Sequence, residues 1–218
     1  VLENSDNVAM VWVSEQLGKD LEYQYLKDYG FGRKTGIELD TEATGSVLEV
    51  KKWSNTQRAT IAFGQGISVT PIQLMTAFSA IANGGKLMRP YIVSEIMGSS
   101  GHKDVTQPQE IKTVLKEDTA NKLKEMLVSV VINGHGKKAQ VEGYEVAGKT
   151  GTAQIPKPGG GYYEDRHIGS FIGFAPAKDP KFLMLVRLDQ PKNVAWAEES
   201  AAPTFGKMAS WLLSYFRV

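Results

Sequence analysis

Two short groups of polar residues have the types and order that acyl-transfer chemistry requires. The first is Ser5-Asp6-Asn7, and the second is Lys149-Thr150-Gly151-Thr152, whose lysine lies 142 positions beyond Asn7. A hydroxyl can relay a proton, a lysine ammonium raises the local positive potential, and an amide can hold a peptide group. Such chemistry is possible only if the two groups meet at one site.

Each group also has a purely structural explanation. Ser5 and Asn7 alone could be a helix cap, and residues 149–152 alone could be an exposed polar strand. Together and in this order, S-x-N and K-T-G form part of the signature of penicillin-interacting serine enzymes, which also includes S-x-x-K. The pair therefore favours a catalytic interpretation over two unrelated structural ones.

The segments around these groups make the likeness specific. They are residues 64–74 (GQGISVTPIQL), 80–85 (AIANGG), 148–154 (GKTGTAQ) and 170–176 (SFIGFAP). This pattern resembles the class B penicillin-binding proteins, and it extends over most of the chain. The glycine pair in the first segment is not a nucleotide-binding loop, because no third glycine follows at the required spacing.

The resemblance implies a peptidoglycan D,D-transpeptidase that cross-links D-Ala-D-Ala stem peptides through a serine acyl-enzyme and is a target of β-lactams. It assigns catalytic roles to Ser5, as a proton relay, and to Lys149. It assigns binding of the substrate's amide to Asn7 and binding of the substrate's carboxylate to the hydroxyls of Thr150 and Thr152. It also places the Thr152 N–H in the oxyanion hole. Gly151 would allow a peptide backbone to approach the strand closely.

The S-x-x-K nucleophile motif of this family is expected to lie outside the chain. Residues 100–103 (SGHK) match that pattern, but they lie in a Gly/Ser-rich stretch rather than at the start of an apolar helix, and they follow S-x-N instead of preceding it. We therefore expect residues 1–218 to be the C-terminal part of one transpeptidase domain. Alone it would be inactive, and its partner would be the N-terminal part of the same protein.

Helices are predicted to position the first group. A helix opens at Asn7 and ends at Gly18, and a second covers about 21–29, before a polar loop that continues to about residue 50. Thr70-Pro71-Ile72-Gln73 is a capping box that opens a helix ending near Asn83. An apolar stripe predicts another helix over 117–133.

Strands are predicted to position the second group. Runs at 91–96 and 111–115 suggest a loose hairpin, and runs at about 145–155, 168–174 and 182–188 suggest a three-stranded antiparallel meander. A helix over about 203–216 closes the chain. The fold class is therefore α+β, with a helical portion over about 1–135, and a sheet and terminal helix over about 141–218. The resemblance implies the penicillin-binding and serine β-lactamase-like transpeptidase fold.

Composition excludes several other classes. Lys and Arg number 25 against 24 Asp and Glu, with no long basic run, so nucleic-acid binding is not expected. The chain contains no cysteine, and His102, His135 and His167 are isolated among turn residues, so neither a metal nor another cofactor is expected. The longest apolar run, residues 8–13, is too short to span a membrane.

Localisation and partners follow from the resemblance alone. It implies an extracytoplasmic domain that is anchored to the cytoplasmic membrane by an upstream segment and associated with division or elongation machinery. Its ligands would be the peptidoglycan stem peptide and β-lactams. A serine β-lactamase and a non-catalytic β-lactam sensor or division scaffold are the alternatives, and upstream serine and lysine residues would separate catalysis from scaffolding.

Overall fold

The computed structural model describes residues 1–194 and 196–218. Its α-helices, in chain order, are α1 (Asn7–Leu17), α2 (Lys19–Asp28), α3 (Asn55–Ala62), α4 (Pro71–Ala82), α5 (Glu117–Asn133) and α6 (Ala201–Tyr215). Its strands are β1 (Lys86–Met88), β2 (Glu95–Met97), β3 (Lys103–Val105), β4 (Glu110–Thr113), β5 (Ala147–Pro156), β6 (Tyr162–Ala175) and β7 (Phe182–Asp189).

Local capping chemistry fixes where most of the helices begin and end. Thr70 and Gln73 form the predicted reciprocal capping box at the start of α4, with Pro71 in the first turn. Gly134 ends α5 where the sequence predicts. The predicted cap of α1 is wrong by one residue, because Asp6 rather than Asn7 accepts a hydrogen bond from the Ala9 N–H.

The three-stranded meander is confirmed. Strand β6 pairs antiparallel with β5 on one side and with β7 on the other, so the sheet order is β5-β6-β7. Lys149 lies opposite Ile172, and Thr150 lies opposite Phe171. Strand β5 is therefore at one end of the sheet, with its second edge turned away from β6.

The predicted hairpin between residues 91–96 and 111–115 is wrong. Strand β2 pairs with β3 within a short hairpin, whereas β4 pairs back with β1. Strand β3, which the sequence analysis did not predict, is closer to β2 along the chain than β4 is, and it pairs with β2. Gly85 makes the pairing of β1 with β4 possible. A Cβ at Gly85 would lie 2.0 Å from the Leu115 carbonyl oxygen, so only glycine permits this approach.

Two apolar clusters pack on opposite faces of the sheet. On one face Phe171 of β6 contacts Phe205 of α6, with ring centroids 4.7 Å apart. On the other face Phe174 of β6 packs against Phe78 of α4 and Leu127 of α5. Successive side chains of a strand point to opposite faces of the sheet, so Phe171 and Phe174, three positions apart, lie on opposite faces. Strand β6 therefore contributes to both clusters, and the domain is a helix–sheet–helix sandwich.

In the ranges 1–194 and 196–218, none of the helices combines the length and apolarity that crossing a bilayer requires.

Candidate active site

Ser5 occupies a tight turn immediately before α1. Its backbone φ is +50°, in the left-handed region that residues other than glycine seldom adopt. The turn is closed by backbone bonds from Ser5 N to Leu2 O and from Asp6 N to Val1 O, both 3.2 Å. This conformation fixes the serine, and Asn7 follows as the first residue of the helix.

Glu3 fastens this turn to the end of α5. Its carboxylate accepts a hydrogen bond from the Ser129 hydroxyl, and its carbonyl accepts one from the His135 N–H at 3.0 Å. The contact depends on Gly134, where an added Cβ would lie 2.4 Å from the Glu3 carbonyl oxygen. The position of the serine turn is therefore set by a helix remote in sequence.

Lys149 extends from β5 to the serine turn. Its Nζ donates to Ser5 Oγ at 2.8 Å and to the Thr150 carbonyl at 3.1 Å. The side chain is half-buried, and this burial lowers the lysine pKa from 10.5 to about 8, because removal from water disfavours the charged amine. The two groups singled out in the sequence thus meet across one cleft.

A cavity of about 560 Å³, called here the first cavity, opens at this meeting point. It contains all six residues predicted for the site: Ser5, Asn7, Lys149, Thr150, Gly151 and Thr152. Its remaining lining residues are Val1, Leu2, Met10, Ala62, Phe63, Gln65 and Gln154. Lys149 is the only charged side chain among these described lining residues, so the cavity favours an anionic group such as a carboxylate.

The family model described as the penicillin-binding protein transpeptidase domain matches residues 1–210. The chain belongs to this family. Stage V sporulation protein D of Bacillus subtilis is 46% identical over 211 residues, which cover 95% of this chain and 32% of that protein. PbpB of Mycobacterium tuberculosis is 35% identical, over 98% of this chain and 33% of its own length.

Solved structures of penicillin-binding proteins have the same fold. Penicillin-binding protein 3 of Mycobacterium tuberculosis in complex with aztreonam is similar with a TM-score of 0.92 and 33% identity. The match covers 100% of this chain and 51% of that one. This transpeptidase-family chain thus spans about a third of the curated relatives and about half of that solved chain.

The presence of glycine at position 151 is explained by a neighbouring residue of the fold and does not require a ligand. It lies opposite Ser170 on β6, and an added Cβ would lie 2.8 Å from the Ser170 hydroxyl oxygen. Ser170 Oγ in turn donates to the Gly151 carbonyl at 3.3 Å. The cross-strand neighbour therefore accounts for the glycine, and close approach of a substrate backbone stays a prediction.

A second cavity of about 400 Å³ adjoins the first. The two share Ser5, Asn7, Thr150 and Thr152, and the second is completed by Asn4, His135, Trp196, Ala197 and Glu198. The sequence interpretation missed His135, because it treated the histidine as an isolated surface residue. Its contact with Glu198 joins residues 63 positions apart, and no local pattern signals such a pair.

Ser100, part of the S-x-x-K look-alike, lies in the turn between β2 and β3. It is not among the described residues that line either cavity. This placement agrees with giving Ser100 no part in the site.

Proposed function

We propose that this chain forms one wall of the active site of a peptidoglycan D,D-transpeptidase, which cross-links D-Ala-D-Ala stem peptides through a serine acyl-enzyme. β-Lactams would acylate the same serine. The nucleophile and its own lysine would come from a segment outside the chain, so residues 1–218 alone are inactive. The observation that carries the proposal is the 2.8 Å contact between Lys149 Nζ and Ser5 Oγ inside the cleft.

The roles follow from the chemistry of each group. Lys149 supplies positive potential next to the Ser5 hydroxyl, which can pass a proton between the missing nucleophile and the leaving amine. Asn7 borders the same cavity and can hold a substrate amide with its carboxamide. The hydroxyls of Thr150 and Thr152 would bind the terminal carboxylate, and the Thr152 N–H would stabilise the oxyanion.

The position of β5 supports binding of an extended peptide. The edge of β5 that faces away from β6 can pair with a substrate backbone, which would add a strand to the sheet. Gly151 and the two threonines lie on this strand, so a peptide paired with β5 would have its end within reach of Lys149.

The test uses the full-length polypeptide that contains this chain and measures acylation by a fluorescent penicillin. Replacing Lys149 with alanine is expected to reduce the acylation rate by at least about 100-fold, as loss of an electrostatic catalytic group does. Lys149→Arg should retain part of the rate, because it keeps the charge but not the shape of the amine. Lys122→Ala, an exposed lysine on α5, is the matched control and should leave the rate unchanged.

Mapping the adduct by peptide mass spectrometry separates the remaining possibilities. The labelled serine should lie outside residues 1–218, and a labelled peptide from within the chain, such as one containing Ser100, would contradict the proposal. An adduct that persists for hours is expected of a transpeptidase, whereas rapid turnover would indicate a serine β-lactamase. Failure of the full-length protein to form any adduct would contradict the proposal and favour a scaffold without catalysis.

We also propose that the domain is extracytoplasmic and anchored to the cytoplasmic membrane by an upstream segment. The relatives' names, which include a sporulation protein and a penicillin-binding protein, are compatible with a role at the cell wall. Contact with division or elongation machinery is part of the same proposal. Protease treatment of spheroplasts should remove the domain while leaving cytoplasmic markers intact. Protection of the domain from the protease would refute this location.

A further inference from the structure

The second cavity is lined by a turn that is hydrogen-bonded to strand β5. Residues 197–199 form a short 3-10 helix, and the Ala197 N–H donates to Thr152 Oγ1 at 3.3 Å. The turn is also held from α5, because His135 Nδ1 contacts Glu198 Oε2 at 2.5 Å. Glu198 is thereby placed beside the cleft that contains Ser5 and Thr150.

Trp196 forms another wall of this cavity. Its side chain is 61% exposed, so the indole is accessible to a ligand instead of being part of the core. An aromatic face next to a carboxylate is a combination that recognises ammonium groups, through the ring quadrupole and the negative charge together. The Glu198 side chain is 33% exposed and keeps part of its surface open.

The two cavities differ in charge although they share four residues. Lys149 lines the first cavity, whereas the described residues around the second include Glu198 and neither lysine nor arginine. Glu198 is the only carboxylate among the described residues that line the second cavity. One half of the cleft therefore suits a carboxylate and the other half suits an ammonium.

We propose that the second cavity binds the side-chain ammonium of the amine acceptor in transpeptidation, with Glu198 as its counter-charge and Trp196 as its wall. This inference rests on the proposed function, which requires an acyl donor and a primary amine. The bound ammonium first releases a proton to solvent. The amine nitrogen then bonds to the acyl carbon, the ester bond to the nucleophilic serine breaks, and the second amine proton goes to the serine oxygen.

The experiment measures how the acyl-enzyme partitions between water and amine. The full-length protein is acylated with a thioester analogue of the stem peptide, and D- and L-configured Nα-acetyl-lysine amides are added at increasing concentrations. The ratio of aminolysis to hydrolysis is independent of how fast the acyl-enzyme forms. For Glu198→Gln, the amine concentration giving half-maximal aminolysis should rise about two- to fivefold, the equivalent of one partly exposed charge pair.

Glu199→Gln is the matched control. Glu199 is the adjacent carboxylate, but it pairs with Lys138 and does not line the cavity, so its variant should leave the half-maximal amine concentration unchanged. Equal effects of the two variants, or none, would overturn the proposal. A lower aminolysis maximum with an unaltered half-maximal concentration would also overturn it, since Glu198 would then affect geometry and not binding.

If Glu198→Gln has a much lower melting temperature than the unsubstituted protein, a measurement on the unsubstituted protein tests the proposed acceptor site instead. The Nε-trimethylated form of the same lysine amide keeps the positive charge but cannot attack the acyl carbon. It should inhibit aminolysis competitively and leave hydrolysis unaffected. No competition, or no aminolysis by any of the amines, would overturn the acceptor site, while failure of penicillin labelling would instead refute the proposed function.

Discussion

At the scale of single residues, Lys149 has the clearest measurable property. Its burial lowers the pKa from 10.5 to about 8, so we expect it to lose its proton about 2.5 pH units earlier than an ordinary lysine. NMR of the chain labelled with 13C at lysine Cε should show one signal titrating near pH 8. That signal should be missing from the Lys149→Arg variant and present in Lys122→Ala.

The same lowered pKa makes stability depend on pH. Between about pH 8 and 10.5 the unfolded chain holds a proton on Lys149 that the folded chain has lost. The free energy of unfolding should therefore rise with pH across this window, and below pH 8 the cost of keeping the buried amine charged is present in full. Urea unfolding at several pH values checks this, and the slope attributable to Lys149 should vanish in Lys149→Arg.

Gly134 determines where the serine turn sits. In Gly134→Ala, the added Cβ would lie 2.4 Å from the Glu3 carbonyl oxygen, so the turn that carries Ser5 must move. We expect the variant to lose about 1–3 kcal/mol of stability, as overpacking does, and to be acylated by penicillin at least about tenfold more slowly in the full-length protein. Gly98→Ala is the control, because the nearest atom to its added Cβ is 3.7 Å away.

At the scale of elements, Gln73 joins α4 to the irregular segment before α3. Only 1% of its surface is exposed, and its side-chain amide donates to the carbonyls of Arg33 at 2.6 Å and Thr44 at 2.8 Å. Gln73→Ala leaves these carbonyls without this donor and should reduce the free energy of unfolding by about 2–4 kcal/mol. Thermal or urea unfolding measures the loss. Gln16→Ala, an exposed position on α1, should change it by less than about 0.5 kcal/mol.

The helices were more predictable than the strand pairings. The capping box at Thr70 and the apolar stripe over 117–133 are local signals, and α4 and α5 begin and end close to the predicted positions. Pairing of β4 with β1 depends on the approach of Gly85 to Leu115, which is a tertiary contact. Helix α3 was missed because its only buried residue is Ile61, which gives no apolar stripe.

The residues of the site also fall into two groups, those that local motifs predict and those that only tertiary packing brings together. Ser5, Asn7 and the residues of β5 were predictable because short motifs carry them, and the structure places them around one cavity. His135 and Glu198 belong to no motif and meet only after α5 and the turn before α6 have packed on the sheet. A local pattern in a single sequence cannot predict such a tertiary contact.

At the scale of the whole molecule, α1 exposes an apolar face. Val8 and Trp12, one helical turn apart, are 81% and 62% exposed, whereas Ser14 is buried against α2 and α3. Contiguous exposed apolar faces commonly mark surfaces that bind another protein segment or a ligand. Because both residues lie within the first helix, a segment preceding the chain would be tethered close to this face. We propose that the nucleophile-bearing segment covers it.

The hydrophobic dye ANS should therefore bind strongly to the 218-residue chain and weakly to the full-length polypeptide. In the short chain, replacing Val8 and Trp12 with glutamine should lower dye fluorescence by removing the binding face. Trp211, on the exposed face of α6, is 64% exposed, and Trp211→Gln tests whether the dye binds there instead. If full-length protein binds as much dye as the short chain, and the α1 substitutions still lower that binding, then the face of α1 is open in the whole protein and the nucleophile must approach Ser5 from elsewhere.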